Sequence, residues 1–252
     1  MPEPAAIEET AILGGRLRLM QPVKGHRAGT DAVLLAACVE NPSGLIIDLG
    51  TGCGAVGLAL AQRGPHAKIV LADDDPAILA LARRNITLNA LDDRAIAVEA
   101  DIYRPASRRA AGLLDGAADL VVTNPPFLTL GTGRASPDAA RARAHVMAGS
   151  DGLALWIRAA SALLRPGGRL VLIHRADALG EVIAVSAGRL GALAILPVFP
   201  RAGDAAVRIL VSGIKGSRAP LQIRAGLILH GPDGKFTGEA EMIHRGERQL
   251  AM

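Results

Sequence analysis

The sequence predicts an α/β fold, a doubly wound, mostly parallel sheet of seven strands that ends in an antiparallel C-terminal hairpin. Three observations carry that expectation. Short apolar runs alternate with helical stretches from residue 45 onward, the pattern of parallel strands joined by crossover helices. The first two runs end in an acid, Asp48 and Asp73, and each leads directly into a helical stretch. Two later runs, near 192–199 and 206–213, follow one another with no helix between them, as a hairpin on the sheet edge would.

Leu45-Ile46-Ile47-Asp48 is the first strand and passes through glycines into a helix from Ala55 to Arg63. Lys68-Ile69-Val70-Leu71-Ala72 is the second. It leads to Pro76, which suits the first turn of a helix running through Asn89, with Asp74 or Asp75 as the N-cap. Ala95–Glu99 and Asp119–Thr123 are the third and fourth strands, and a helix follows from about Asp151 to Leu164. Arg165-Pro166-Gly167-Gly168 is a tight turn into the fifth strand, Arg169–Ile173. A further helix reaches to about Leu190 before the hairpin. Gly216 to Met252 reads as a tail with one strand-like piece, Leu221 to Leu229, and a turn at Gly231-Pro232-Asp233-Gly234.

Half of the 252 residues are apolar and the mean hydropathy is +0.30, ample for a sizeable core. No run approaches the roughly 18 apolar residues of a membrane span. The opening Met1-Pro2-Glu3-Pro4 lacks the charged and apolar regions of a signal peptide, so a cytoplasmic location is expected. Cys38 and Cys53 sit among small apolar residues and read as reduced core thiols. The net charge of +4 and pI of 9.6 lean mildly toward an anionic partner. Rings make up only 2% of the chain, so any grip on RNA is expected to be mostly electrostatic. No spacing of Cys, His or acids suits a metal, and His174 reads as a residue of the core edge.

Thr123-Asn124-Pro125-Pro126-Phe127 is a poor continuation of any regular element. Each proline removes a donor and fixes φ, and the first pushes Asn124 out of the helical region. One reading is a rigid shelf that holds a carboxamide beside a ring. It would suit a planar group bearing NH2, whose hydrogens the Asn124 oxygen and a prolyl carbonyl accept while Phe127 stacks on its face. The other reading is a proline-rich turn with Phe127 filling core.

Asp48-Leu49-Gly50-Thr51-Gly52-Cys53-Gly54 ends the first strand and opens the first helix. Gly50 and Gly52 allow a tight turn and close approach to a ligand, and Gly54 allows close helix–strand packing. Asp73, about 20 residues on, is placed to accept from two ribose hydroxyls. Asp101, with its neighbour Ile102, follows the third strand where an adenine amino group would lie.

With these residues the chain resembles class I S-adenosyl-L-methionine-dependent methyltransferases, which implies a Rossmann-like methyltransferase fold. Asn124-Pro125-Pro126-Phe127 matches their amino-methylating tetrapeptide, which implies a nitrogen acceptor and catalytic roles for all four residues. Gly14–Pro22 and Gly29-Thr30-Asp31 are similar to the bacterial tRNA-Val (adenine-N6) methyltransferase family, as is the tail from Leu229 to Thr237. The likeness spans roughly residues 12–245. It implies that Gly29, Thr30, Asp31, Asp48, Gly50, Gly52, Gly54, Asp73, Asp101, Ile102 and Asn124 hold the cofactor. It also implies a segment 1–40 packed over the cofactor site, a catalytic core 41–215 and a tail 216–252.

Many family members carry Tyr where this chain has Phe127, and the segment Arg141–His145 matches the family only loosely. Arg16, Arg18, Lys24 and Arg27 ahead of the core, and Arg134, Arg141 and Arg143 after the shelf, read as two phosphate-contacting lips or as solvated surface. His26 and His145 fall near the mouth, with nothing to mark either as a proton carrier. RNA, in particular tRNA, is therefore the expected partner. N5-methylation of a release-factor glutamine, rRNA guanine-N2 methylation and a non-catalytic binding protein are the alternatives. The absence of a preceding helical domain ranks the first of these second.

Overall fold

The computed structural model of the chain describes residues 6–23, 28–126 and 152–252. It opens with an antiparallel hairpin, β1 (Ile7–Ile12) and β2 (Leu17–Pro22), followed by α1 (Thr30–Ala37). Alternating units come next: β3 (Gly44–Leu49), α2 (Ala55–Arg63), β4 (Ala67–Asp73), α3 (Pro76–Leu88), β5 (Ala95–Glu99), α4 (Pro105–Ala110) and β6 (Ala118–Thr123). After them stand α5 (Gly152–Leu163), β7 (Leu164–Arg175), a short 3-10 turn (Ala176–Ala178) and α6 (Leu179–Ser186). The chain finishes with β8 (Leu190–Phe199), β9 (Arg208–Lys215), β10 (Gln222–Ile223), β11 (Leu227–Ile228) and α7 (Gly238–His244).

The main sheet runs β10-β8-β9-β7-β6-β3-β4-β5, with β11 also on β8. The strands from β5 to β7 are parallel, and β9 is antiparallel to both β7 and β8. The predicted doubly wound fold with its C-terminal hairpin is thus present, with two corrections. The sheet has nine strands among the described residues rather than seven, because β10 and β11, two residues each, pair with the free side of β8. Such short pieces carry no readable periodicity. The hairpin also does more than line the edge, since its second strand lies between β7 and β8.

Successive residues of a strand face opposite layers. Ile46, Leu120, Val122 and Val171 pack with α1, α2, the N-terminal hairpin and the tail, whereas Ile47, Val121, Leu170 and Leu172 pack with α5 and α6. Coverage on both faces explains why the central strands are apolar without alternation. Helix α2 lies so close to the sheet that a Cβ at Gly57 would stand 2.2 Å from Leu71 Cδ2. Helix α3 begins as its sequence predicts. Asp75 is the N-cap, its side chain accepts from the amides of Ala77 and Ile78, and Pro76 occupies the first turn. The turn Arg165–Gly168 bulges from β7, which resumes its register on β6 at Arg169.

Candidate active site

The parallel strands deliver the predicted residues to one edge. Leu49 pairs with Thr123, Leu49 with Ala72 and Asp73 with Glu99, so the carboxyl ends of β6, β3, β4 and β5 stand side by side. Asn124, the glycine loop, Asp73 and Asp101 each follow or end one of these strands. A ligand lying across the edge meets them in that order, in the crevice beyond the strand ends where open α/β sheets bind.

Gly50, Gly52 and Gly54 all have positive φ (72°, 57° and 94°), conformations that side chains disfavour. Their surroundings differ. A Cβ at Gly50 would lie 2.7 Å from Trp156 Cζ2, one at Gly54 would touch Leu71 and Leu58 at 3.1 and 3.2 Å, and one at Gly52 would meet open space. Gly54 therefore serves helix–strand packing as its position predicts, and Gly52 is the point of open approach. Gly50 serves an indole the sequence did not connect to it. The amides of Gly50 and Thr51 both donate to Ala72 O, pinning the loop to the end of β4.

The acids at these strand ends hold backbone. Asp48 is buried, and one of its oxygens accepts from Thr51 Oγ1 at 2.7 Å and from the Gly57 amide at 2.8 Å. Burial pushes its pKa up to about 6 against the pull of those two bonds. Asp73 accepts from the Gly52 amide at 2.9 Å and from the Asp75 amide at 3.1 Å, and burial raises its pKa as well. Asp101 accepts from the Tyr103 amide at 3.0 Å and pairs with Arg104 at 3.1 Å. Ile102 is buried beneath it, and its carbonyl accepts from Arg108 at 2.7 Å.

Asn124 leaves β6 directly after a fixed point. Trp156 Nε1 donates to Thr123 Oγ1 at 2.8 Å, and Thr123 Oγ1 donates to Leu49 O at 2.7 Å. Pro125 is buried and Pro126 exposed. The Asn124 Oδ1 atom is itself buried and, among the described residues, accepts no hydrogen bond, an uncommon state for a buried acceptor. Trp156 and Tyr103 (edge-on to Trp156 at 5.7 Å), and the anchoring of Thr123 by the indole, were not foreseen. The single Trp of so ring-poor a chain was the one available signal.

The Gly29-Thr30-Asp31 segment forms the start of α1. Asp31 pairs with Arg208 at 3.0 Å, and Arg208 stands opposite Arg175 at the carboxyl end of β7, so the segment lies on the same sheet edge. Arg18 is bound to Glu9 at 2.7 Å, and Arg16 donates to Gly246 O at 3.2 Å. Phe127, Lys24, Arg27, His26, Arg134, Arg141, Arg143 and His145 lie outside the described residues. His174 is buried, which lowers its pKa. Cys38 and Cys53 are buried free thiols with pKa values pushed up to about 12 and about 11. Among the described residues no group of three or more His, Cys, Asp or Glu is arranged for a metal, and no helix is long and apolar enough to cross a membrane.

A strand-end glycine loop, acids on the neighbouring strands and an Asn-Pro-Pro corner accompany a match of residues 27–183 to the family model described as "Methyltransferase small domain". The chain belongs to this family. An Agrobacterium tumefaciens protein of known structure, described as a predicted O-methyltransferase, is 36% identical to this methyltransferase small domain protein. The match covers 88% of this chain and 99% of that one, with a TM-score of 0.73. A tRNA1(Val) (adenine(37)-N6)-methyltransferase of Porphyromonas gingivalis is 37% identical over 62% of this chain and 61% of its own. A release factor glutamine methyltransferase of Mycolicibacterium smegmatis is 39% identical over 52% of this chain and 45% of its own. The chain thus spans less than two thirds of the length of either of these two relatives.

Proposed function

We propose that this chain is an S-adenosyl-L-methionine-dependent N-methyltransferase acting on an exocyclic amine, adenine N6 of a tRNA in the cytoplasm. The observation that carries the reading is the buried Oδ1 of Asn124 at the carboxyl edge of β6, which has no partner among the described residues. A buried acceptor with no donor costs about 1–3 kcal/mol. An incoming N–H removes that cost, so the atom favours an amine over an apolar group.

The described residues fit the cofactor. Gly52 leaves open space above its backbone, where a ligand can approach. Asp73 accepts from backbone amides and, with about four lone-pair sites on its two oxygens, retains capacity for ribose hydroxyls. Asp101 and Ile102 would hold the adenine, and Gly29, Thr30 and Asp31 would close the site from α1. When bound, S-adenosylmethionine supplies an electrophilic methyl group on its sulfonium.

The amine of adenine is a weak nucleophile because its lone pair is spread into the ring. Asn124 Oδ1 and the Pro125 carbonyl would accept its two hydrogens, favouring a tetrahedral nitrogen and localising that lone pair. Phe127 would stack on the base. Positioning and fixed dipoles then carry the catalysis, and the nitrogen loses its proton after it becomes charged. A hydroxyl acceptor has one hydrogen and would leave half of this arrangement idle. Phosphate contacts are proposed for Arg16, Arg18, Lys24, Arg27, Arg134, Arg141 and Arg143, with Arg18 first having to leave Glu9.

A glutamine side-chain amide is also a conjugated NH2, and the likeness to a release factor methyltransferase supports that second reading. The tRNA relative stands first because its match extends over more of both chains. The test is methyl transfer to unmodified tRNA, rRNA and a release-factor peptide, with the product nucleoside identified by mass spectrometry. Asn124→Ala should cut transfer by about 10²–10³-fold and leave S-adenosylmethionine affinity near wild type. Retention of most activity would rule out this use of Asn124.

A further inference from the structure

Asn85 of α3 and Asn89, the residue that caps its C-terminus, serve β2 in place of a neighbouring strand. Asn89 accepts from the Arg18 amide at 3.0 Å and donates to the Arg18 carbonyl at 2.7 Å. Asn85 accepts from the Met20 amide at 2.7 Å and donates to the Met20 carbonyl at 3.0 Å. The spacing makes this possible. Four helical residues rise about 6 Å and two strand residues about 6.8 Å, so carboxamides four apart on a helix meet alternate residues of a strand. Both are amide–amide rungs of the same kind.

Their remaining hydrogens go to different places. The spare N–H of Asn89 returns to Asn85 O within its own helix at 2.8 Å. That of Asn85 goes to Cys53 O at 2.9 Å, inside the glycine loop between Gly52 and Gly54. Asn85 is fully buried. From Met20 the connection passes to the next residue, Gln21, itself buried. Gln21 donates to Thr10 at 2.7 Å and accepts from the Ala28 amide at 2.9 Å, and Ala28 immediately precedes Gly29-Thr30-Asp31.

We infer that Asn85 is a positioning residue that, through β2 and Gln21, couples the glycine loop to the Gly29–Asp31 segment, so that cofactor binding and ordering of the N-terminal hairpin strengthen each other. The inference rests on the cofactor reading above. Coupling of this kind is reciprocal: if the hairpin sets the loop, a ligand on the loop must steady the hairpin.

Calorimetric titration of S-adenosylmethionine into wild type, Asn85→Ala and Asn89→Ala, each below its own melting temperature, separates coupling from support. Either substitution removes one rung under β2, but only the first frees the loop. Asn85→Ala should lose about tenfold in affinity and Asn89→Ala less than about twofold. Equal losses, or none, overturn the coupling. Amide exchange on the wild-type protein decides the matter if Asn85→Ala does not fold. Adding S-adenosylmethionine should slow the Met20 and Ala28 amides together with those of Gly52 and Gly54. Slowing confined to the loop overturns the inference. A wild-type protein that does not bind S-adenosylmethionine overturns the cofactor reading and the coupling with it, whereas binding with matched asparagine variants overturns the coupling alone.

Discussion

A methyl group at Gly52 would meet open space, while one at Gly50 would stand 2.7 Å from the Trp156 ring. Both backbones are left-handed, which costs a non-glycine residue about 1–2 kcal/mol in either place. Gly50→Ala adds a collision with a buried indole whose nitrogen is tied to Thr123, so its cost should fall on the fold. Gly52→Ala should keep the fold, within about 1–2 kcal/mol, and lose ligand affinity instead. Thermal melts paired with S-adenosylmethionine titration check this. A Gly52→Ala protein that binds like wild type would show that the open face is not the cradle. At this scale the sequence was informative wherever one residue type answers one local need, as with the glycines, Asp73 and Asp75. It was silent where the partner is remote. Nothing near Gly50 announces Trp156, and Asn85 reads as one more polar residue on an exposed helix until β2 is laid beside it.

Among the elements, α2 owes its start to a strand. Its cap, Gly54, has no side chain, and the buried carboxylate of Asp48 at the end of β3 receives the Gly57 amide in the first turn. A negative charge there suits the helix dipole, yet burial outweighs that benefit and raises the Asp48 pKa to about 6. The folded protein therefore binds the proton more tightly than the unfolded chain does. Stability from the protonated form is fully present below about pH 4 and is lost as pH rises through about 6, on the order of 3 kcal/mol in all. Asp48→Asn still accepts the Gly57 and Thr51 hydrogens but cannot titrate. Urea denaturation from pH 4 to pH 7 should show wild type losing stability relative to Asp48→Asn across that window, and parallel curves would contradict it. Elements with long apolar runs were legible, β3 to β7 in particular. The hairpin β1–β2, helix α4 and helix α7 were not. Each is seven residues or shorter and draws its stability from packing, with α7 alone among them adding a side-chain cap, Thr237 accepting from the Ala240 amide.

Across the whole molecule the two ends of the chain close over the same helix. Leu13, Leu17 and Leu19 from the hairpin, and Leu227, Ile243 and Leu250 from the tail, join the core layer that contains α1. The Leu250 amide donates to Ala37 O at the end of α1, and His244 Nε2 lies 3.3 Å from Thr30 Oγ1 at its beginning. His244 Nδ1 faces Ala240 O at 2.8 Å, and a carbonyl only accepts, so Nδ1 donates there while Nε2 is turned to the Thr30 hydroxyl. The tail is thus joined to the core layer, and it holds α1 at both ends. Removing residues 249–252 takes away buried Leu250, the half-buried Met252 packed on the same core and one backbone hydrogen bond, together about 3–4 kcal/mol. For a chain of this size that corresponds to a fall in Tm of about 6–16 °C. Leu250→Ala should reproduce most of the fall, because the apolar surface is the larger part. A truncated protein melting within about 1 °C of the full chain would mean that α1 is held by the sheet and the hairpin alone.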